Sequence, residues 1–169
     1  GRVVVYTTPT ILGSFLRKYS ALSGLDEDVL RRTFIYRPVK VGASVYGVDA
    51  TRRYIYTLAA ATAVCTPLGA QFNSAWTNVF SLAYDPTRDV IFGLDQLDKQ
   101  LISFNRTTGQ GTSVGAGTLV GYPQVRSLAY RASNDRLYAG DQATDALVSI
   151  HPVTGAVTPV VTVAPDPLG

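Results

Sequence analysis

Four aspartates that recur in matching places are the residues of this chain best suited to hold a metal ion. Asp95 and Asp98 lie in one short polar segment, and Asp141 and Asp145 lie in a second segment with similar neighbours. Turns of this kind bind calcium when enough carboxylates and carbonyls converge on one ion. Two carboxylates per segment are fewer than calcium loops usually supply, and aspartate also caps turns through nearby backbone N–H groups. We therefore predict no cofactor and favour turn capping for these aspartates, with calcium binding at the four positions as the alternative.

The other polar residues do not indicate a catalytic site. Cys65 and His151 each occur once, which excludes an intrachain disulfide, a thiolate metal site and a histidine cluster. Ser149 and His151 are alternate residues of one predicted strand, a spacing that does not place a base on a nucleophile. The chain has no nucleophile elbow, phosphate-binding glycine loop or His-Glu-x-x-His motif. We predict that the protein is not an enzyme.

One segment matches a pattern for covalent modification. Asn105-Arg106-Thr107 fits the acceptor sequence for N-glycosylation and falls at a predicted exposed turn. Asn105 is therefore a candidate for glycosylation if the chain is made in a eukaryotic secretory pathway. A chance match is the other interpretation, since the equivalent segment beginning at His151 lacks the pattern.

The distribution of charge argues against nucleic acid as a partner. The formal net charge is +3, from 15 basic and 12 acidic residues. The densest basic points, Arg31-Arg32 and Arg52-Arg53, are too sparse for a surface that tracks phosphates. No apolar run approaches the roughly 20 residues of a membrane-spanning helix. The absence of methionine suggests a processed chain or a piece of a longer one.

An internal repeat determines the elements that must position these residues. Residues 79–112 and 125–158 align without a gap at an offset of 46, and thirteen of the 34 pairs are identical. Each unit has four short apolar segments separated by turn formers at intervals of roughly 8 to 12 residues, which is typical of an antiparallel meander. The strands are expected near 79–85, 89–94, 100–105 and 111–120 in one unit, and near 125–131, 135–140, 146–151 and 157–163 in the other.

A repeated four-stranded meander buries both of its faces only against neighbouring sheets, as in a β-propeller. The sequence Ser-Leu-Ala-Tyr-Asp-Pro-Thr-Arg-Asp-Val-Ile-Phe (81–92), then Leu-Ile-Ser-Phe-Asn (101–105) and Thr-Thr-Gly (107–109), resembles NHL and YWTD propeller blades. The resemblance covers about half of the chain and lacks the YWTD signature itself. It implies an all-β fold of antiparallel four-stranded meander repeats, with about four propeller-like blades.

The blades are expected to follow one another within one domain. Residues 79–124 form the third blade and residues 125–163 the fourth, and a proline-rich tail covers 164–169. A weaker copy upstream predicts a shortened second blade over 43–78. In that copy, residues 44–56 are laid on 80–92, which puts Asp49 over Asp85.

The first 42 residues are the hardest to assign. We interpret residues 1–42 as an incomplete first blade that begins at its second strand. A helical hairpin is the alternative, because Leu12, Phe15, Leu16, Tyr19 and Leu22 recur at helical spacing. Strand and helix both stay open for residues 10–32.

Ten residues that recur in matched strands are predicted to be mostly buried. They are Leu82, Tyr84, Ile91, Leu101 and Phe104, with their equivalents Leu128, Tyr130, Leu137, Leu147 and Ile150. Asp85 and Asp49 are expected to cap their own hairpins. Replacing Asp85 with alanine would then cost about 1 kcal/mol, the size of one local hydrogen bond. Phe72 and Trp76 are expected to pack in the core or between blades.

This pattern predicts a non-catalytic structural or protein-interaction module that is secreted or extracellular. An incomplete first blade and a tail with two prolines would leave sheet faces and strand edges uncovered. We therefore expect the chain to associate with further copies of itself or with the remainder of a longer chain. A lectin-like or calcium-assisted ligand site on the loops is the alternative function, and an enzyme on a propeller scaffold is the third.

Overall fold

The structure, a computed structural model, describes residues 39–49, 53–59, 64–116 and 119–162. Most of the first blade predicted over residues 1–42, its helical alternative and the tail over 164–169 therefore lie outside the described residues. In the part of the chain that is described, no helix is long and apolar enough to cross a membrane.

The described residues form three antiparallel sheets of four strands each, which confirms the all-β meander fold. A short 3-10 helix, Ala132–Asn134, lies in one of the turns. The first sheet is β1–β4, the second β5–β8 and the third β9–β12, with the strands of each sheet adjacent in chain order. In chain order the strands are β1 Val39–Val41, β2 Ser44–Asp49, β3 Tyr54–Leu58, β4 Cys65–Pro67, β5 Val79–Asp85, β6 Val90–Asp95, β7 Gln100–Asn105, β8 Gly111–Val114, β9 Val125–Arg131, β10 Arg136–Asp141, β11 Ala146–Ile150 and β12 Val157–Thr162.

Turn residues with positive φ recur at the 46-residue interval. Asp89 and Asp135 end the turn between the first two strands of their sheets, with φ of 54° and 52°. Arg53, Lys99 and Asp145 end the turn between the second and third strands, with φ of 60°, 56° and 49°. Residues other than glycine adopt this left-handed conformation rarely. Its repetition shows that one period of 46 residues runs through all three sheets.

The register predicted for the first sheet is wrong. The structure makes β2 the second strand of its sheet, paired with β1 on one side and β3 on the other. The stretch Val-Tyr-Gly-Val-Asp (45–49) therefore corresponds to Ile-Phe-Gly-Leu-Asp (91–95), again at an offset of 46. Asp49 is the equivalent of Asp95, not of Asp85. The expected boundary at residue 43 is also too late, because the sheet already includes Val39.

The fourth strand of the first sheet also differs from expectation. It is β4, which ends at Pro67, whereas the blade predicted over 43–78 extends through the region 69–77. That region instead fills the space between the first and second sheets, where Phe72 and Trp76 are buried. The ring of Phe104 lies 5.3 Å from that of Phe72 and 6.5 Å from that of Trp76, between centroids. The predicted packing of Phe72 and Trp76 between blades is confirmed.

The same arrangement recurs between the second and third sheets. Leu119 is buried there, and Tyr122, which lies 46 residues after Trp76, packs on the same cluster. Each sheet-to-sheet space is thus filled by side chains from both sheets and by the segment that connects them. Burial of this apolar surface is the main force holding successive sheets together.

The predicted core is confirmed with one exception. Seven of the ten residues are buried, and Tyr84 and Tyr130 are partly buried. The prediction for Leu147 is wrong, because 36% of its surface is exposed whereas its equivalent Leu101 is fully buried. The physical reason is position: the face that carries Leu101 meets the third sheet, and no described sheet covers the matching face with Leu147.

Candidate binding groove along the innermost strands

An open groove of about 440 Å³ runs along the first strands of the three sheets, β1, β5 and β9. These strands lie side by side at the inner edge of the sheets. Within their sheets β5 and β9 are paired on one edge only, and on the other side of β9 the N–H of Leu128 donates to Ser81 Oγ of β5 at 3.0 Å. The volume is in the range of ligand sites. The groove is lined by Val39, Lys40, Leu82, Ala83, Tyr84, Pro86, Leu128, Ala129, Tyr130 and Ala132.

Two tyrosines at equivalent positions form the aromatic part of the groove. The hydroxyl of Tyr84 donates to Asp89 Oδ1 at 2.8 Å, and that of Tyr130 donates to Asp135 Oδ1 at 2.9 Å. The hydrogen bond to Asp89 raises the pKa of Tyr84, whereas burial, followed by the bond to Asp135, raises the pKa of Tyr130. Both rings are therefore held in fixed orientations as neutral phenols.

Two arginines join successive sheets and bind the same aspartates as the two tyrosines. Arg88, in the second sheet, donates from Nη1 to Asp85 Oδ2 at 2.6 Å and to Asp135 Oδ1 of the third sheet at 2.6 Å. Arg106 donates from Nε to Asp89 Oδ1 at 2.8 Å and from Nη1 to the hydroxyl of Tyr46, in the first sheet, at 3.2 Å. Bidentate arginine contacts of this kind fix geometry as well as add energy. They connect the second sheet to the third through Asp135 and to the first through Tyr46.

The contact between Arg88 and Asp135 predicts a specific response to acid. Hydrogen bonds from Arg88 and then from Tyr130 lower the pKa of Asp135 from its ordinary value of 3.8 to about 2. The contribution of this carboxylate to stability is therefore complete above about pH 4 and is lost as the pH falls through 2. We expect the melting temperature of the Asp135→Asn variant to change less between pH 4 and pH 2 than that of the unchanged protein. Equal slopes in thermal melts across this range would contradict the prediction.

Asp85 caps its turn as predicted and also has a further role. Its Oδ1 accepts hydrogen bonds from the backbone N–H of Thr87 at 2.8 Å and of Arg88 at 3.3 Å. The carboxylate is fully buried and pairs with the Arg88 guanidinium. The capping role expected for Asp49 is not tested, because residues 50–52 lie outside the described part of the chain. Asp49 is buried at the end of the second strand, where Asp95 lies in the next sheet.

The four aspartates considered for calcium occupy equivalent turns at the far end of the sheets. Asp95 is buried, and its oxygens accept hydrogen bonds from the N–H groups of Asn78, Leu97 and Asp98 at 2.9 Å. The equivalent Asp141 accepts from the N–H groups of Gln124 and Thr144 and from the Thr144 hydroxyl. These contacts favour the turn-capping interpretation, whereas Asp98 and Asp145 are exposed. Among the described residues, no three metal-ligating side chains are grouped together, and calcium binding stays a prediction.

Asn105 and His151 perform the same local task in successive sheets. Asn105 Oδ1 accepts hydrogen bonds from the N–H groups of Thr107 and Thr108, both at 2.9 Å. His151 Nδ1 accepts from Val153 N–H at 3.1 Å and from Thr154 N–H at 3.3 Å. Asn105 is exposed at its turn, as glycosylation would require, and its modification stays a prediction.

The groove and the residues that shape it are not predicted by the sequence pattern. Tyr84 and Tyr130 are predicted from the sequence only as mostly buried residues, without their hydrogen bonds to Asp89 and Asp135. The available signal was the conserved spacing of five residues from each tyrosine to an aspartate in both repeats. Ser81, which accepts the N–H of Leu128 at 3.0 Å across the two innermost strands, was also missed.

Comparison with solved structures shows a β-propeller-type fold, as the NHL and YWTD resemblance predicts. A chain in the nidogen/laminin complex matches with a TM-score of 0.62 and 15% identity, over 78% of this chain and 49% of that one. A protein of unknown function from Bacteroides thetaiotaomicron matches with a TM-score of 0.56 and 22% identity, over 72% of this chain and 31% of that one. Virginiamycin B lyase from Staphylococcus aureus matches with a TM-score of 0.53 and 11% identity, over 77% and 41%. The chain therefore spans less than half of the length of these propeller structures.

Comparison at the level of sequence identifies no family. No family model matches the chain. One curated protein, a cGMP-dependent 3',5'-cGMP phosphodiesterase A from Dictyostelium discoideum, is 56% identical over 57 residues. These residues make up 34% of this chain and 7% of that protein, so the match is a short shared segment.

Proposed function

We propose that the chain is a non-catalytic protein-interaction module of β-propeller type, and that the groove along β1, β5 and β9 binds an extended segment of a partner polypeptide. The observation that carries this proposal is the lining of the groove by residues of three strands that each end their sheet and by two fixed tyrosine rings. An extended peptide can pair with a free strand edge through its main chain and place side chains against aromatic rings.

The side chains around the groove support binding over catalysis. Its polar side chains are Lys40, Tyr84 and Tyr130, and both tyrosine hydroxyls donate to aspartates. His151, a residue type common among general bases, accepts two backbone N–H bonds through Nδ1 in a turn of the third sheet. An interaction role is also compatible with a fold shared with a chain of the nidogen/laminin complex.

The proposal includes a secreted or extracellular location and a partner that is either a further copy of the chain or another part of a longer protein. Two of the propeller-type structures that it matches, the Bacteroides thetaiotaomicron protein and the chain of the nidogen/laminin complex, are longer than this chain. Propeller blades are stable only when their faces are covered by neighbours. Additional blades would therefore complete the scaffold that holds the groove.

A peptide selection tests the proposed groove. Peptides selected from a random phage library on the immobilised protein should bind the unchanged chain and lose at least tenfold in affinity for Ala132→Arg, which places a large cation at the lining. The matched control is Val153→Arg, because Val153 is 60% exposed in a turn and does not line the groove. Affinities would be measured by fluorescence anisotropy.

Three results would contradict the proposal. Selected peptides that bind both arginine variants as well as the unchanged chain would place the binding site elsewhere. Failure to select any peptide, combined with glycan-array binding or a calcium-dependent rise in melting temperature, would favour the lectin-like or calcium-assisted function. Turnover of a small molecule blocked by Ala132→Arg would make the protein an enzyme.

A further inference from the structure

Lys40 takes the place that Tyr84 and Tyr130 occupy in the other two sheets. Each of the three residues lies on the innermost strand and pairs with a residue of the second strand, and these partners follow at intervals of 46 residues: Val45, Ile91 and Leu137. All three line the groove, in the order of their strands β1, β5 and β9. The lining of the groove therefore combines one cationic residue with two aromatic ones.

The ammonium group of Lys40 has no carboxylate of the kind that holds the two tyrosines. Tyr84 and Tyr130 each donate to an aspartate that follows five residues later in the same hairpin. The turn after β1 has only two residues, and the hairpin of Lys40 holds no acidic residue before Asp49, at the far end of β2. Lys40 is exposed, and its side chain forms no ion pair or hydrogen bond with the described residues. These residues therefore leave its positive charge without compensation.

The other charges near the groove are compensated within the protein. Arg88 contacts both carboxylate oxygens of Asp135, at 2.6 Å and 2.7 Å. Arg106 contacts both carboxylate oxygens of Asp89, at 2.8 Å and 2.9 Å. Among the described residues that line the groove, Lys40 alone carries a formal charge. The groove is therefore positive at β1, and it is neutral and aromatic at β5 and β9.

We propose that the partner segment carries an acidic side chain that binds Lys40, next to apolar side chains that pack on the rings of Tyr84 and Tyr130. Complementary charge of this kind fixes the orientation of a bound partner and disfavours partners of the wrong sign. The order of the strands places the carboxylate contact at one side of the groove and the apolar contacts beside it. This inference rests on the peptide-binding function proposed above and specifies the chemistry of the partner.

The uncompensated charge of one lysine favours an acidic polypeptide over a nucleic acid. Proteins that bind nucleic acids neutralise several phosphates with lysines and arginines that follow the strand. Arg88 and Arg106 are already bound to aspartates, which leaves Lys40 among the described lining residues. One ammonium group matches one carboxylate, and the tyrosine rings match its apolar neighbours.

Selection of peptides on two forms of the protein tests the proposal. Random peptides displayed on phage are selected on the whole 169-residue chain and, separately, on its Lys40→Glu variant. Peptides from the unchanged chain should be enriched in aspartate or glutamate at one position. Peptides from the variant should carry lysine or arginine there, because the charge in the groove is reversed. Lys40 is exposed, so the substitution should leave the fold intact, and thermal melting of both proteins checks this.

The affinity of one selected acidic peptide measures the contact itself. Fluorescence anisotropy should show about a fivefold loss of affinity for Lys40→Met, which is the effect of a partly exposed charge pair. Replacing the acidic residue of the peptide with its amide should cost a similar factor against the unchanged chain and almost nothing against Lys40→Met. The affinity of the unchanged chain should also fall as salt is added, and that of Lys40→Met should fall less.

Arg126→Met is the matched control for the loss of one positive charge. Arg126 is exposed at the opposite end of β9 from Tyr130, where it stacks on Phe80 and does not line the groove. The acidic peptide should therefore bind this variant as tightly as the unchanged chain. An equal loss in Arg126→Met and Lys40→Met would show a general effect of net charge and would overturn the proposal.

Different results would overturn this inference and the peptide-binding function. Peptides that lose affinity for Ala132→Arg but show no acidic preference, or that bind Lys40→Met as tightly as the unchanged chain, would keep the groove as a peptide site and overturn the acidic partner. Failure to select any peptide would contradict the peptide-binding function and the acidic partner together. Binding of a fluorescent single-stranded oligonucleotide that is lost in Lys40→Met would assign the groove to nucleic acid and overturn the proposal.

Discussion

Replacing Gly69 with alanine is expected to lower the free energy of unfolding by about 4 kcal/mol. Gly69 has a φ of +52°, where a side chain costs roughly 1–2 kcal/mol. An added Cβ would also lie 2.1 Å from the carbonyl oxygen of Thr108, a backbone atom in a turn of the second sheet. Overpacking of this kind costs roughly 1–3 kcal/mol more, because the two sheets must move apart.

The control for this substitution is Gly42→Ala. Gly42 has a φ of +58°, and no atom of the described residues lies within 4 Å of the position of an added Cβ. Its replacement should therefore cost only the conformational part, about 1–2 kcal/mol. Urea denaturation followed by fluorescence of Trp76, which lies between the first and second sheets, measures both values. Equal losses in the two variants would show that the close approach of the sheets does not limit stability.

The Asp85→Ala variant is expected to lose about 3 kcal/mol of stability, more than the single hydrogen bond considered from the sequence. Its buried carboxylate accepts two backbone hydrogen bonds and pairs with Arg88. Hydrogen bonds to a charged group contribute roughly 1.5–3 kcal/mol. The ion pair adds less than a fully buried one, because the Arg88 side chain is 31% exposed and keeps its contact with Asp135.

Two further variants separate the contributions of Asp85. Asp85→Asn keeps an oxygen that can accept the turn N–H groups, so it should lose only part of the stability. Asp98→Ala removes an exposed carboxylate and should stay within about 0.5 kcal/mol of the unchanged protein. A loss of about 1 kcal/mol or less for Asp85→Ala in urea denaturation would mean that the pair with Arg88 adds nothing.

The strands of the two best-matched repeats could be predicted from sequence to within one or two residues at most ends. Their turns are of equal length, so β6 and β10, or β7 and β11, align without a gap. The apolar residues at these aligned positions have the same burial where both sheets have a neighbour. The fold class and most of the core of these two sheets followed from this pattern alone.

The first sheet could not be placed by the same reasoning. The turn between β1 and β2 has two residues, whereas that between β5 and β6 has four, so a gapless comparison from the first strand fails. Two strands of one blade each end in an aspartate, β5 at Asp85 and β6 at Asp95. Asp49 could therefore be aligned with either of them, and the wrong alignment was chosen. The conserved Gly-x-Asp of residues 47–49 and 93–95 was the better guide.

The groove and the exposure of Leu147 depend on relations between sheets that a repeat cannot reveal. Tyr84 and Asp89 belong to one hairpin, but the volume beside them exists only because β1, β5 and β9 lie together. Leu101 and Leu147 are leucines at equivalent positions in the third strands of their sheets. Their exposure differs because a neighbouring described sheet covers only Leu101. Local sequence sets the side chain, and tertiary position sets its exposure.

Each described sheet is built from residues that follow one another without interruption, and no strand is exchanged between sheets. Most hydrogen-bonded partners are therefore close in the chain, and a hairpin can close as soon as its own residues are available. Folding in such a molecule can proceed from one meander to the next during synthesis, with docking as a later step. Mutations within a hairpin should then slow folding, whereas mutations between sheets, such as those at Gly69, should mainly accelerate unfolding.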